Sequence, residues 1–286
     1  MGKKRRKVEQ AEADDDDDEP MMTDETIEID FEALSMSDED ISGIDQLLSQ
    51  TFVGSSVDTK AVSEMMVSQN YIGCVYKTVI PDTSGMKVDA EGEDEDDEQD
   101  YDQVLGLISV INLNSRKSEA CIKGLHEFLA SRCKDKKVWS RFESAFSPAE
   151  ESKGQDLGWI ISERFLNIPH QIALSGFKSL AKDIQEAVQK KMPYDFSYYL
   201  MVCKMHRLKA AVAKVNKKDS ASSDSQSELY ANAEEEIFAE NAEAKFDFEL
   251  SGDQTSPDGL IPFRRVLLIK ANNLDSILEQ AEKECQ

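Results

Sequence analysis

The chain has 286 residues, of which 57 are acidic and 33 basic, giving a formal net charge of −24 at pH 7. This length suits one sizeable domain, and no apolar run approaches the roughly 20 residues that a membrane helix needs. The strongly negative charge argues against direct binding of nucleic acid, because acidic side chains repel phosphate. The sequence therefore predicts a soluble protein with no membrane anchor.

A short basic peptide opens the chain. Its five consecutive basic residues are Lys3, Lys4, Arg5, Arg6 and Lys7. Such a run near a terminus is typical of a nuclear import signal, which an import receptor would bind. The alternative is a solvated tail that balances the nearby acids. We favour the import signal, which predicts a nuclear protein.

The acidity is concentrated in two stretches. Residues 9–45 contain 17 acids and residues 89–102 contain 10, and neither stretch has a Lys or Arg. The rest of the chain is nearly neutral, with 30 acids against 33 bases. Such blocks either act as solubilising tails or steer and shield a basic partner protein. The candidate steering residues are Glu93, Asp94, Glu95, Asp96, Asp97 and Glu98.

The composition divides the chain into a tail and one domain. Residues 1–24 are predicted to form a disordered tail that is first basic and then acidic. Residues 25–286 are predicted to form a single α/β domain. Within it, an acidic loop at residues 81–102 and a polar linker at residues 214–230 are expected to lie in solvent.

Hydrophobic periodicity places strands and helices in an interleaved order along the domain. Strands are predicted at residues 27–33, 71–80, 104–113, 196–205, 246–250 and 266–269. Helices are predicted at residues 41–52, 122–129, 138–146, 174–188 and 274–281. Ser37 and Asp40 have the spacing of a capping box before the first helix. The predicted fold is a single mixed sheet flanked by helices.

No motif that catalysis or cofactor binding demands is present in the sequence. It has no phosphate-binding loop, dinucleotide fingerprint, nucleophile elbow or zinc-protease motif. The three histidines, His126, His170 and His206, have no patterned acidic or thiol partner, and the cysteines lack metal-ligand spacing. The sequence therefore predicts no catalytic residue, no metal and no cofactor, and favours a binding protein over an enzyme.

Residues 158–172 form a further notable segment. In this segment an apolar run is followed by a Glu-Arg pair, then by an Asn-x-Pro turn and then by a long amphipathic helix. By itself the segment is interpreted as a packing element and its turn, with Pro169 starting or preceding the helix. Its characteristic residues are Gly158, Glu163, Arg164, Asn167 and Pro169.

This segment closely resembles the signature of the BCCIP family. Other stretches agree with that family in order, so the resemblance spans roughly residues 28–281. They are the stretches at residues 30–32, 44–52, 106–113, 198–200 and 234–238. The resemblance implies a fold similar to the GCN-five-related acetyltransferases without their cofactor loop. The two runs nearest to that loop end at Ile108 and Ile160, where the loop needs a small residue.

The resemblance also implies a function. It points to a non-enzymatic nuclear chaperone or escort that binds a basic ribosomal protein of the large subunit. That role would support ribosome assembly and nuclear export, with shuttling between nucleus and cytoplasm. The alternative is a regulatory adaptor that binds cell-cycle or DNA-repair proteins. An active acetyltransferase is the third and least favoured hypothesis.

Overall fold

The computed structural model describes residues 31–78, 103–148, 156–208, 228–250 and 259–284. These residues form one sheet of eight strands with helices on both faces. The strands are β1 (Phe31–Leu34), β2 (Cys74–Thr78), β3 (Gly106–Asn112), β4 (Asp156–Arg164), β5 (Phe196–Leu208), β6 (Glu228–Tyr230), β7 (Ala244–Glu249) and β8 (Leu260–Lys270). The helices are α1 (Ile41–Thr51), α2 (Thr59–Ser68), α3 (Ala120–Arg132), α4 (Lys136–Phe146), α5 (His170–Gln189), α6 (Glu234–Glu240) and α7 (Leu274–Glu284).

The sheet is mixed, as predicted. Its order is β1-β2-β3-β4-β5-β8-β7, and β6 pairs with β5 outside this path. Every adjacent pair is antiparallel except β4 and β5, which are parallel. Helices α1 to α4 cover one face and helices α5 to α7 the other, each over its own apolar cluster. Strand β3 is buried along its whole length because both of its faces are covered.

The predicted capping box is present before α1. The backbone N–H of Ser37 donates to an Asp40 carboxylate oxygen at 2.8 Å, and the Ser37 hydroxyl donates to the same oxygen at 3.1 Å. Asp40 is buried and also pairs with the Lys77 ammonium at 2.8 Å. The turn that leads into α1 is thus fixed both locally and to strand β2.

Helices α2 and α6 have no counterpart among the predictions, although Val62, Met65 and Met66 have helical spacing after the N-cap Asp58. The described part of β1 is mostly exposed rather than half-buried, because it is an edge strand. Of the polar linker predicted at residues 214–230, residues 214–227 lie outside the described ranges, and the last three residues form β6, which pairs with β5.

Within the described ranges, no helix combines the length and the apolar character needed to cross a membrane. The tail at residues 1–24 and the whole acidic loop at residues 81–102 lie outside the described residues.

Candidate functional site

Strands β4 and β5 begin as neighbours and then separate. Their backbones pair only along residues 156–159 and 196–200. Beyond these residues β4 continues beside β3 as far as Arg164, and β5 continues beside β8 as far as Leu208. Charged side chains lie in and around the gap between the diverging strands, and we call them the charged cluster. Its members are Glu163, Arg164, Lys204, Glu234, Glu235 and Arg264.

A side-chain ion pair crosses the gap between the two strands. The Lys204 ammonium on β5 lies 2.6 Å from a Glu163 carboxylate oxygen on β4. The Thr51 hydroxyl, on the last residue of α1, donates to the other oxygen of Glu163. Glu163 and Thr51 are both buried. This pair therefore joins β4, β5 and α1 at the point where backbone pairing has stopped.

A second ion pair lies on the opposite face of β4. The Arg164 guanidinium binds both carboxylate oxygens of Glu234, the first residue of α6, with one of the two bonds at 2.9 Å. The Arg164 Nε also donates to the Ile168 carbonyl at 3.3 Å, which ties down the turn before α5. Two parallel bonds to a carboxylate are stronger and more directional than a single contact. Arg164 thus fixes the start of α6 to the end of β4.

Arg264 of β8 is buried without a carboxylate partner among the described residues. Its guanidinium donates to three backbone carbonyls, those of Thr51 at 2.9 Å, Gln50 at 2.5 Å and Phe263 at 2.9 Å. Gln50 and Thr51 end α1, where carbonyl groups lack partners within the helix and carry partial negative charge. Burial lowers the pKa of Arg264 from its ordinary value.

Glu235 is a buried carboxyl group in an environment that favours its neutral form. Burial raises its pKa to about 8, and the nearby carboxylates of Glu234 and Glu163 act in the same direction. The Asn232 amide donates to it at 2.8 Å and opposes part of this shift. At neutral pH Glu235 is therefore mostly protonated. The cluster then contains three cations and two carboxylates.

A cavity of about 500 Å³ opens beside the charged cluster. Its apolar rim includes Phe165, Pro262 and Leu166, whose side chain is 79% exposed. Its polar lining includes Arg164, Asn167, Lys204, His206, Asn232 and Arg264. Burial, together with the Arg264 charge, lowers the pKa of His206, which leaves the imidazole neutral at pH 7.

The chemistry of this region is that of binding rather than of an activated nucleophile. Burial raises the pKa of the Cys203 thiol, next to Glu235, well above its ordinary value, so the thiol is unreactive. In the part of the chain that the structure covers, no group of three or more His, Cys, Asp or Glu side chains is placed to hold a metal ion. What the region does offer is hydrogen-bond donors on cationic side chains.

Comparison with known proteins identifies the family. The BCCIP family model matches residues 26–243, which is well over half of the chain. The chain belongs to the BCCIP family. The resemblance predicted from the sequence is therefore confirmed.

Individual BCCIP relatives are similar over most of their lengths. The chain is 32% identical over 276 residues to the BRCA2 and CDKN1A-interacting protein of Bos taurus, covering 92% of this chain and 85% of the relative. It is 30% identical over 269 residues to the BCCIP homolog of Drosophila melanogaster, covering 91% and 85%. The crystal structure of BCP1 from Saccharomyces cerevisiae superposes with a TM-score of 0.60 over 94% of each chain, at 15% identity. This last likeness establishes a common fold.

The structure brings three of the five signature residues together. Glu163 and Arg164 belong to the charged cluster, and Asn167 lies at the cavity mouth. Pro169 is the N-cap residue of α5. Gly158 lies at the paired end of β4, where a Cβ atom would come within 3.0 Å of the Tyr199 ring. The import signal at Lys3–Lys7 and the steering residues at Glu93–Glu98 lie outside the described residues.

The sequence does not identify the partners of the signature residues. Lys204 lies inside a predicted central strand, and Arg264 lies two residues before the apolar run of β8, which begins at Val266. A charged residue inside an apolar strand is itself a signal, because such residues are buried only when paired or hydrogen-bonded. That signal indicates a buried partner for Lys204 but does not identify Glu163.

Proposed function

We propose that this protein is a non-enzymatic nuclear chaperone that escorts a basic protein. The observation that carries the proposal is the separation of charge along the sequence. Two stretches hold 27 of the 57 acids and no base, whereas the remainder is nearly neutral. Dense negative charge accelerates encounter with a basic partner and competes with nucleic acid for its lysines and arginines. A nearly neutral folded domain can then supply a specific contact surface.

The proposed client is a basic ribosomal protein of the large subunit. Ribosomal proteins carry many exposed lysines and arginines before assembly, and the acidic stretches are complementary to them. The proposed import signal at Lys3–Lys7 would take the protein into the nucleus. Escort of such a client would support ribosome assembly and nuclear export, as the family resemblance implies.

A second candidate function is that of a regulatory adaptor. Its support is the printed name of several relatives, including the one from Bos taurus, which describes interaction with BRCA2 and CDKN1A. An adaptor binds its partners through a specific surface and does not need to shield them from nucleic acid. The two candidates therefore differ in the partner that should be bound in near-stoichiometric amount.

The deciding experiment is isolation of the full-length protein at moderate salt, followed by mass spectrometry of what stays bound. The chaperone hypothesis expects one basic large-subunit ribosomal protein in near-stoichiometric amount. Recombination factors or cell-cycle inhibitors in that amount, without a ribosomal protein, would favour the adaptor and contradict the chaperone.

The proposal that the protein is not an enzyme has a separate basis. Of the two sequence runs nearest to an acetyl-coenzyme A loop, the one starting at Gln103 ends inside β3. There Gly106 is paired with Arg164, so the segment is an extended strand and not a free loop. The fold resemblance to GCN-five-related acetyltransferases itself stays a prediction. Incubation with acetyl-coenzyme A should leave the mass of a bound client unchanged, and a gain of acetyl groups would overturn this proposal.

A further inference from the structure

The floor of the cavity beside the charged cluster contains two cations in direct opposition. Lys204 on β5 and Arg264 on β8 are cross-strand partners in the sheet register. The next pair on the same face is His206 opposite Pro262. Like charges directly opposite each other on neighbouring strands destabilise a sheet unless an opposite charge lies between them. The pair therefore needs negative charge on this face.

The described residues supply only part of that charge. Glu163 neutralises Lys204, to which it is paired at 2.6 Å. Arg264 contacts only carbonyl oxygens, and the C-terminus of α1 carries about half an elementary charge. Because Glu235 is mostly protonated at neutral pH, it adds little. The cavity wall at Arg264 is left with net positive charge.

Hydrogen-bond donors are also left over at this wall. A guanidinium has five N–H groups, and three of those of Arg264 donate to the described carbonyls. Lys204 has three N–H groups, of which Glu163 takes one. The neutral imidazole of His206 can donate one more N–H into the same cavity. Several donors on cationic or neutral groups thus line a cavity whose described lining residues include no Asp or Glu.

We propose that this cavity binds a small oxyanion of the carboxylate or phosphate class, held by Arg264, Lys204 and His206. A planar guanidinium matches the geometry of two oxyanion oxygens, and the ammonium adds a point charge beside it. The apolar rim at Phe165 and Leu166 would accept a short hydrocarbon portion of the ligand. The volume of about 500 Å³ suits a compact molecule.

The proposal is tested by calorimetric titration of the full-length protein with sodium phosphate and, separately, with sodium butyrate. Ionic strength is held constant with sodium chloride, so that general salt effects are equal throughout. We expect a saturable heat with one site for at least one of the two ions. The phosphate and butyrate arms distinguish the two classes of oxyanion.

A pair of surface variants makes the test specific. Leu166→Glu places a carboxylate at the cavity mouth on a side chain that is already exposed, so folding is preserved. Leu34→Glu makes the same change on the exposed edge strand β1. A like charge near the site should weaken oxyanion binding about fivefold, whereas a charge on β1 is screened by salt and should have no effect.

A third variant, Arg264→Lys, keeps the positive charge but removes the planar guanidinium that can bind two oxygens at once. It should weaken oxyanion binding more than Leu166→Glu does. Circular dichroism melts check that it still folds. Absence of saturable heat with both ions would overturn the proposal. Equal affinity in Leu166→Glu and Leu34→Glu would also overturn it, because binding would then lie elsewhere.

Discussion

The two halves of the β4–β5 pair are both buried but have opposite chemistry. Where the backbones are paired, the strands present apolar side chains such as Trp159 and Leu200. Where the backbones have separated, Glu163, Arg164 and Lys204 take their place. These charged side chains lie where the β4–β5 backbone ladder has ended, and there the Glu163–Lys204 pair joins the two strands. Burial alone does not determine which residues the fold requires.

The two halves are expected to respond differently to substitution. Apolar contacts are non-directional, so the stability lost on substitution increases with the volume and area of the side chain removed. A buried ion pair is different, because removing one partner leaves the other charged and unpaired in the interior. Replacing one partner of the pair should therefore reduce stability strongly, whereas replacing both partners together should reduce it little.

The largest effect is expected from Arg164→Met. This substitution leaves Glu234, which is fully buried at the start of α6, without its cationic partner. Losing one partner of a buried pair costs about 3–5 kcal/mol. The free energy of unfolding at pH 7, measured by urea titration, should fall by that amount.

The matched control replaces both partners, as Arg164→Met with Glu234→Met. Replacement of a whole buried pair by apolar residues is commonly neutral or stabilising. The double variant should therefore recover most of the lost stability. A double variant as unstable as the single one would mean that Arg164 acts through Ile168 and general packing rather than through the ion pair.

Two glycines within helices test the apolar side of the comparison. A Cβ atom added to Gly176 of α5 would lie 1.7 Å from the Tyr76 hydroxyl oxygen, whereas one added to Gly124 of α3 would meet nothing within 4 Å. Gly176→Ala should therefore destabilise the protein by about 2–3 kcal/mol through overpacking. Gly124→Ala should stabilise it by up to about 1 kcal/mol, because alanine favours helix. Thermal melts of both variants would separate the outcomes, and equal shifts would contradict the close packing at Gly176.

Periodicity in the sequence predicts most of the sheet and its covering helices, but not the contacts that join them. The continuous apolar run of β3 and the apolar stripe along α5 are formed by residues close together in the sequence, so the sequence alone reveals them. The bond from Arg264 to Thr51 connects residues 213 positions apart, and the Thr51–Glu163 bond connects residues 112 positions apart. No local pattern encodes such partners. Family resemblance identifies Glu163 and Arg164 as signature residues, and only the fold shows which partners they bind.

A pH-dependent effect on stability is expected at Glu235. Its pKa of about 8 in the folded protein exceeds the ordinary value of 4.5 that it has when unfolded. Between these values the folded state binds a proton that the unfolded state has released, so stability falls as pH rises through this window. Glu235→Gln removes that fall, so the variant should be more stable than the wild type at pH 9, and the difference should grow as pH rises from 4.5 to 8.

The check on Glu235 is a series of urea titrations from pH 4 to pH 9 on both proteins. Below pH 4.5 the wild type and Glu235→Gln should have similar stability, because both side chains are then neutral in both states. Parallel pH profiles would show that Glu235 titrates normally and that the charged cluster accommodates its anion.

The smallest effect on stability is expected from the six acids at residues 93–98. Unlike the charges of the buried ion pairs, these acids lie outside the described residues. Replacing these six acids by Ser and Gln should change the free energy of unfolding by less than about 0.5 kcal/mol. The same replacement should slow association with a basic client, because electrostatic steering acts on the encounter step. It should also make the association rate less dependent on salt, because salt screens that steering. The dissociation rate should change less.

Stopped-flow association at several salt concentrations would measure this effect. The matched control replaces six exposed acids on α6 and α7, which removes the same net charge from a different place. These acids are Glu236, Glu240, Asp275, Glu279, Glu282 and Glu284. If the two replacements slow association equally, net charge alone steers the client and the position of the acidic block is irrelevant. If replacement at residues 93–98 leaves the rate and its salt dependence unchanged, that segment is a solubilising tail, and client binding depends on the folded domain.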